Sequence, residues 1–473
     1  MDQFLERRTQ LAGHIGEGIA VIPAARQTPR NDDVDHEFRQ NSNFYFLTGF
    51  DEPDAVAVID PSHPSERYVL FVRPRDREME IWNGYRAGVE GAVAGYGADA
   101  AYPIAELDTH LKDALIGRRE LFYGLGGPLD SQLLPMIRSL QPLRERYGRV
   151  LPSIVHDPTP ILEEMRLRKT PSEAAHLRTA AGISVRGHVA AMRHAGPGTH
   201  EFQVQAVMEA VFRQEGSPRN GYPSIVASGP NACILHYTEN RRRMDAGDLL
   251  LIDAAAESGY FSADITRTFP VNGTFTAPQR AVYEVVLAAH QAAIAVGVPG
   301  RTHGDMHDVA RRTLTEGLVD LGLLPRGVQD SLAMHHYREY FMHGTGHWLG
   351  MDVHDAGTNA TEEGSRLIEP GMAFTVEPGI YIDPAGTDVE FALVEYDHDA
   401  LMERRYRIGS DPARKLEAEE RAGAPTVRHV IPEEFRGIGV RIEDDILATY
   451  DGNENLTAAL PVAADDVEAL CRS

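Results

Sequence analysis

The chain has 473 residues, with 46 lysines and arginines against 70 aspartates and glutamates and a formal net charge of −24. That field repels nucleic-acid phosphates and anionic membrane surfaces, which argues against a nucleic-acid function, while 42% hydrophobic and 25% charged residues exclude disorder, collagen and a coiled coil. The length predicts two domains, and two cysteines, Cys233 and Cys471, give no disulfide framework.

In chain order, the opening MDQFLERRTQLAGHIGEG lacks the apolar run of a signal peptide, and no later stretch is apolar and long enough to span a bilayer. The expectation is a cytoplasmic protein without a membrane partner. The first ~165 residues mix strand-like runs (GIAVIPA, NFYFLTGF, AVAVID, RYVLFVRP) with helix-like ones such as PIAELDTHLKDALIG, which predicts a smaller α/β domain. We place its boundary at 167/168. At 170 a helix signature begins: Thr170 as N-cap, Pro171 at the first helical position and Glu173 as the capping-box acid, with Gly196 as the stop.

The rest carries a degenerate repeat, because HAGPGTHEFQVQAVMEAVF after the first helix resembles AVGVPGRTHGDMHDVARRTL after a helix beginning near Thr276. Each half reads helix, Pro-Gly turn, helix, then strands. In DLLLIDAAAESGYFSADITRTFPV two strand-like runs flank Ser258-Gly259, and a turn on that pair would set Asp253 directly across from Asp264. Two carboxylates so close repel unless a proton or cation lies between them; on another turn, both would be solvated surface residues. The second half embeds Glu377 in AFTVEPGIYI and Glu443 in GIGVRIEDDILATY, acids in apolar runs that burial would penalise without a partner. Arg441 shares the face of Glu443.

Nitrogen ligands are available in FMHGTGHWLGMDVHDAG, which holds His343, His347 and His354, and in ACILHYTEN, which holds His236. Each could equally be a core or loop histidine bonded to backbone carbonyls. Carboxylate-rich sites with one histidine suit manganese, cobalt or zinc, and two such ions ~3.5–4 Å apart can activate water and clamp a carbonyl.

The blocks LLLIDAAAESGYFSADITRTFPVNG, FMHGTGHWLGMDVHD, EPGMAFTVEPGIYI and RGIGVRIEDD resemble the signatures of the pita-bread metallopeptidases, specifically the aminopeptidase P family. RQNSNFYFLTGFDEPDAVAV resembles that family's N-terminal domain, and DGNENLT with PVAADDVEAL resembles its tail. The resemblance implies an α+β fold: a pita-bread catalytic domain over 168–473, its strands curved around the site, preceded by the α/β domain over 1–167. It implies two divalent ions, manganese first among the candidates, held by Asp253, Asp264, His347, Glu377 and Glu443, with Asp264 and Glu443 bridging. His236, His343 and His354 match non-ligand histidines that orient substrate, stabilise the tetrahedral intermediate or relay protons. Tyr222, Trp82 and Arg441 are carried over as residues that line the proline pocket or tune the ligands, Trp82 from a neighbouring subunit of a dimer or tetramer. The implied reaction is hydrolysis of the bond between an N-terminal residue and a following proline, Glu377 taking the proton of the attacking water.

Two alternatives remain at this level. A prolidase would cleave only Xaa-Pro dipeptides and needs a cation for the proline carboxylate; a non-catalytic pita-bread protein would have lost its ligands. The connection between Glu377 and Glu443 is also longer than in the short bacterial aminopeptidases, with an insertion at about 384–435 that includes DPARKLEAEERAG. We expect a helical surface elaboration; the alternative is a lid whose Arg404, Arg405 or Arg407 binds a carboxylate.

Overall fold

Short runs of β-branched and aromatic residues separated by turn residues build the sheet of the first unit, in a computed structural model that describes residues 3–362, 364–395 and 397–473. The chain divides into two compact units, Met1–Arg166 and Leu167–Ser473, one residue before the expected boundary. In the first unit, strands Ile19–Pro23, Val56–Ile59, Tyr68–Val72, Ala100–Pro103, Glu120–Phe122 and Ile154–His156 form a mixed six-stranded sheet. Helix Leu107–Leu115 covers it, burying Leu107, Leu111 and Leu115 against Val58, Phe71 and Leu121. One expectation fails here. NFYFLTGF is not a strand: Ser42–Thr48 is helical, capped by Asn41, whose Oδ1 accepts the Phe44 N–H, and ended by Gly49 in the left-handed region at φ 66°. These capping signals outweigh the β propensity of the aromatics, whose side chains find burial on the helix instead.

In the second unit each half begins with a capped helix pair. Helix α1 (Pro171–His194) starts in the expected capping box, the Thr170 N–H donating to Glu173 at 2.7 Å. It ends on Ala195 in extended backbone, and the positive φ of 91° falls at Gly198, not Gly196, because the Pro-Gly turn supplies the reversal. Helix α2 (Glu201–Gln214) follows, then antiparallel strands β1 (Ile225–Ser228), β2 (Leu249–Asp253) and β3 (Thr266–Pro270), with β2 central. The second half repeats the plan with α3 (Ala277–Val296), Pro299-Gly300 and α4 (His303–Asp320), both opened by threonine capping boxes at Thr276 and Thr302. Its strands are β4 (Ala373–Val376), β5 (Gly379–Tyr381), β6 (Gly439–Arg441), β7 (Asp444–Thr449) and β8 (Gly452–Asn455).

Strand β5 pairs with β6, and β4 pairs with β7. The half-sheets meet where β3 runs beside β6: the Thr268 hydroxyl donates to the Arg441 carbonyl at 2.9 Å and accepts the Arg441 N–H at 3.1 Å. Apolar residues of both halves, among them Val226, Ile252, Phe269, Val286, Ile380 and Val440, share one core. Between β5 and β6 the insertion folds as a hairpin, Asp388–Ala392 against Thr426–Val430, carrying helices His398–Ile408 and Ser410–Arg421.

Candidate metal centre

The four acids all stand where a strand stops or breaks. Asp253 ends β2, Asp264 lies just before β3, Glu377 sits between β4 and β5, and Glu443 between β6 and β7. The turn that joins the first two differs from expectation. Gly259 and Tyr260 both have positive φ, 57° and 72°, so the two-residue turn is Gly259-Tyr260, flanked by the Ser258–Phe261 pair. Asp253 therefore faces Thr266, and Asp264 is offset from it. The two carboxylates still converge, because the Tyr222 hydroxyl lies 2.6 Å from Oδ1 of each. One phenolic hydrogen cannot serve both oxygens, so the second contact calls for another proton or a cation.

Contacts from distant sequence fix the second pair. The Glu443 N–H donates to the Thr266 carbonyl at 3.0 Å, and the Thr266 hydroxyl donates to Glu443 Oε2 at 2.7 Å. Beneath them the fully buried Arg267 donates to the Glu443 carbonyl and to Asp444 Oδ1, each at 2.7 Å. Asp445 accepts the backbone N–H of Asp264 at 3.1 Å.

His347 closes the ring. Its Nε2 lies 3.3 Å from Asp264 Oδ2 and 3.7 Å from Glu377 Oε1, while Nδ1 lies 3.0 Å from the Trp348 carbonyl, the partner that orients the ring. One ligand atom from each of Asp264, His347 and Glu443 falls within 4.8 Å of the others. The surroundings fit a cation. Burial, then repulsion from Asp264 and the other acids, pushes Glu443 well above the usual carboxylate range. Burial also raises Asp264, and it lifts Glu377 to about 7 against the opposing pull of His347 and Arg441. Burial alone would lower His347, but its hydrogen bond to Asp264 and the fields of Asp264 and Glu377 carry it up to about 9. A divalent ion held among these oxygens would supply the charge that they otherwise take from protons.

The remaining expected residues separate into groups. Arg441 is buried and donates to Asp253 Oδ2 at 2.7 Å, to the Thr266 hydroxyl at 3.1 Å and to the Tyr381 hydroxyl at 3.0 Å. Tyr381 in turn contacts His343 Nε2 at 2.8 Å, and His343 Nδ1 lies 2.7 Å from the Gly344 carbonyl. If that nitrogen donates to the carbonyl, Nε2 accepts from the phenol. Burial and then the Arg441 charge hold His343 down at about 3, so its ring is neutral. The His354 ring centroid is 4.2 Å from that of His347; partial burial and the charges of His347 and His236 lower its pKa. His236 and His354 both keep exposed edges. Trp82 belongs to the first unit, on helix Arg77–Asn83, and is 80% exposed.

Thr266, Tyr381 and Asp445 were missed at the sequence level. Tyr381 falls on the same side as Glu377 and Gly379 along EPGIYI and could have been suspected from that spacing. Nothing local marks Thr266 or Asp445, whose partners lie 177 and 181 positions away.

The chain is similar to known proteins over both of its units. Residues 175–450 match metallopeptidase family M24, and residues 4–123 match the aminopeptidase P N-terminal domain. A Xaa-Pro aminopeptidase of Haemophilus influenzae is 38% identical over 470 residues, spanning 99% of this chain and 97% of the relative; one from Escherichia coli K12 is likewise 38% identical, over 472 residues and the same shares. Among solved structures, the aminopeptidase PepP of Pseudomonas aeruginosa superposes with a TM-score of 0.88 at 40% identity, covering 99% of this chain and 97% of that one. A zinc-substituted E. coli aminopeptidase P in complex with product gives 0.87 at 36%, covering 99% and 98%. Its matches over nearly the full length, together with the buried carboxylates gathered around His347, place the chain in the Xaa-Pro aminopeptidases of metallopeptidase family M24.

Proposed function

We propose that this chain removes an N-terminal residue from peptides whose second residue is proline, using two divalent ions. It is a metallo-aminopeptidase with the α+β, two-domain architecture of its family. The observation that carries the reading is the convergence of Asp264, His347 and Glu443 on one point, with Asp253 and Glu377 adjoining.

Asp253, Asp264, His347, Glu377 and Glu443 would hold the ions in this reading, and manganese is the ion we favour because oxygen ligands dominate. When bound, the ions polarise the scissile carbonyl and activate water. The residues do the rest. Glu377 Oε2 takes the proton of the attacking water. His354, edge-on to His347, binds and polarises the substrate carbonyl at the open side, while neutral His343, its two nitrogens held by Tyr381 and the Gly344 carbonyl, lines the substrate side and orients the substrate by packing. His236 faces solvent and delivers or orients a proton toward the proline nitrogen, a tertiary amide without an N–H that leaves only when protonated. Tyr222 and Arg441 hold Asp253, the residue nearest the substrate's α-amine.

We place the enzyme in the cytoplasm, in keeping with two free cysteines. We further propose a homo-oligomer in which Trp82 completes a neighbouring pocket: Ile81, Trp82 and Tyr85 are 74%, 80% and 91% exposed in one short segment, an apolar cluster that self-association would cover. No helix among the described residues is long and apolar enough to cross a membrane.

A peptide-length series tests the activity. Xaa-Pro-Yaa and longer peptides should be cut after the first residue, more strongly with added manganese; cleavage of Xaa-Pro dipeptides alone would make the protein a prolidase.

A further inference from the structure

Helix α2 opens on Glu201, a carboxylate with no exposed surface and no place among the metal ligands. A buried carboxylate is costly unless its oxygens are satisfied, and this one is satisfied by a single stretch of chain. Oε1 accepts the Ser228 N–H at 2.8 Å, the Ser228 hydroxyl at 2.7 Å and the Asn231 amide at 3.1 Å. Oε2 accepts the Tyr237 hydroxyl at 2.9 Å and the Arg242 N–H at 2.8 Å, and the Glu201 N–H returns a bond to the Arg242 carbonyl at 3.0 Å.

These donors are not scattered. Ser228 is the last residue of β1, Arg242 closes the excursion that leaves it, and Asn231 and Tyr237 lie within it. One carboxylate therefore ties together both ends and the middle of a loop that has little regular structure beyond the 3-10 turn Gly229–Cys233. The loop carries His236, whose neighbour Tyr237 is bonded directly to Glu201. His236 itself points an exposed edge to solvent, so the loop's anchors must set its position.

We propose that Glu201 is a positioning residue for His236, holding the 229–241 loop so that the imidazole meets the substrate; this rests on the catalytic reading of His236. Displacing a catalytic group by about 1 Å can cost on the order of 10²-fold in rate, so an anchor without substrate contact can still govern kcat.

Glu201→Gln keeps the size of the side chain and one carbonyl oxygen but aims an NH2 group at two donors, the Tyr237 O–H and the Arg242 N–H. The experiment is a double-mutant cycle on the metal-loaded, full-length enzyme, with metal content and amide exchange across 229–241 measured alongside kcat and KM. Glu201→Gln should lower kcat by roughly 10-fold with metal content unchanged, KM within about twofold and faster exchange in the loop. His236→Ala should lower kcat by about 10²-fold, and adding Glu201→Gln to it should cost less than about twofold more. Tyr237→Phe deletes one anchor bond and should show a smaller loss that also vanishes in the His236→Ala background; it carries the test if Glu201→Gln does not fold. Equal losses in both backgrounds, or loss of metal in step with activity, would overturn the inference while leaving His236 catalytic. A His236→Ala enzyme with normal kcat would instead remove the reading of His236, and this inference with it.

Discussion

The candidate metal centre and the 384–435 insertion hang on the same connection, yet they treat charge in opposite ways. Around the centre, Asp264 is 5% exposed and Glu443 2% exposed, and each is bound by residues from the other half-domain. On the insertion, charges pair with each other: Arg405 with Glu417 at 2.8 Å, Arg407 with Glu403 at 3.5 Å, Arg428 with Asp388 at 2.6 Å. Buried carboxylates crowded together are destabilising in themselves, so their presence points to chemistry. Surface pairs that satisfy one another need no further purpose.

The sharpest way to break this contrast is Asp264→Ala. It removes the carboxylate shared with His347 and Tyr222, and turnover should fall to background together with metal content. The fold should persist, since pairing of β2 with β3 is made by backbone groups; circular dichroism and metal analysis check both. Full metal occupancy with normal turnover would dissolve the proposed centre.

Stability separates the same two kinds of charge. Lys169 and Asp355 form an ion pair at 3.0 Å with side chains 0% and 1% exposed, next to His354 in sequence. Lys169→Met removes the Lys169 cation from the buried Asp355 carboxylate and should cost ~3–5 kcal/mol in denaturant unfolding. Arg428→Ala, on the solvated insertion pair, should leave the unfolding midpoint where it was. A small loss for Lys169→Met would mean that burial alone does not mark the important charges.

His188 extends the test to pH. It lies in α1, bonded through Nε2 to the Ala254 carbonyl at 2.8 Å, while its Nδ1 has no hydrogen-bond partner among the described residues. Burial pulls its pKa from 6.5 down to about 4. Between these values the unfolded chain binds the proton and the folded one does not, so the stabilisation is complete above about pH 6.5 and is lost as pH falls toward 4. The loss amounts to ~3 kcal/mol. His188→Gln, which can still donate to Ala254, should remove this component. Parallel pH profiles for the two proteins would refute it.

Glu377 and Glu443 were legible because each interrupts an apolar run, Asp253 and Asp264 because two strand-like runs flank a turn, and the first helix because Thr170 announces its cap. The sequence did not reveal the turn at Gly259-Tyr260, since a tyrosine at φ 72° carries no compositional signal. Nor did it show what holds the acids. Arg267 could be read as one more strand residue, yet it reaches Asp444 and the carbonyl of Glu443 across more than 170 positions. Alternation along a strand reports which face a residue takes; only the joining of two half-sheets decides what it meets there.

The smallest effect should come from the insertion. Its hairpin is rooted through apolar contacts, with Phe391 and Ile431 buried and His336 Nε2 2.9 Å from the Ala392 carbonyl, while Tyr406 at the helical end is 86% exposed. The strands that fix the carboxylates do not depend on it: β5 pairs directly with β6, and the Ile382 N–H donates to the Ile438 carbonyl at 3.0 Å. Replacing the two helices, 398–421, with a short turn should therefore leave Xaa-Pro-Yaa cleavage within about threefold, a change of less than ~1 kcal/mol in barrier. Arg405 is held by the buried Glu417 at 2.8 Å, while Arg407 is 75% exposed and only loosely paired with Glu403 at 3.5 Å, a solvated side chain. A shortened enzyme that retains its metals but changes its preference between Xaa-Pro dipeptides and longer peptides would show that the insertion reaches the substrate. The division between a working interior and a solvated outgrowth would then have to be redrawn to include those helices.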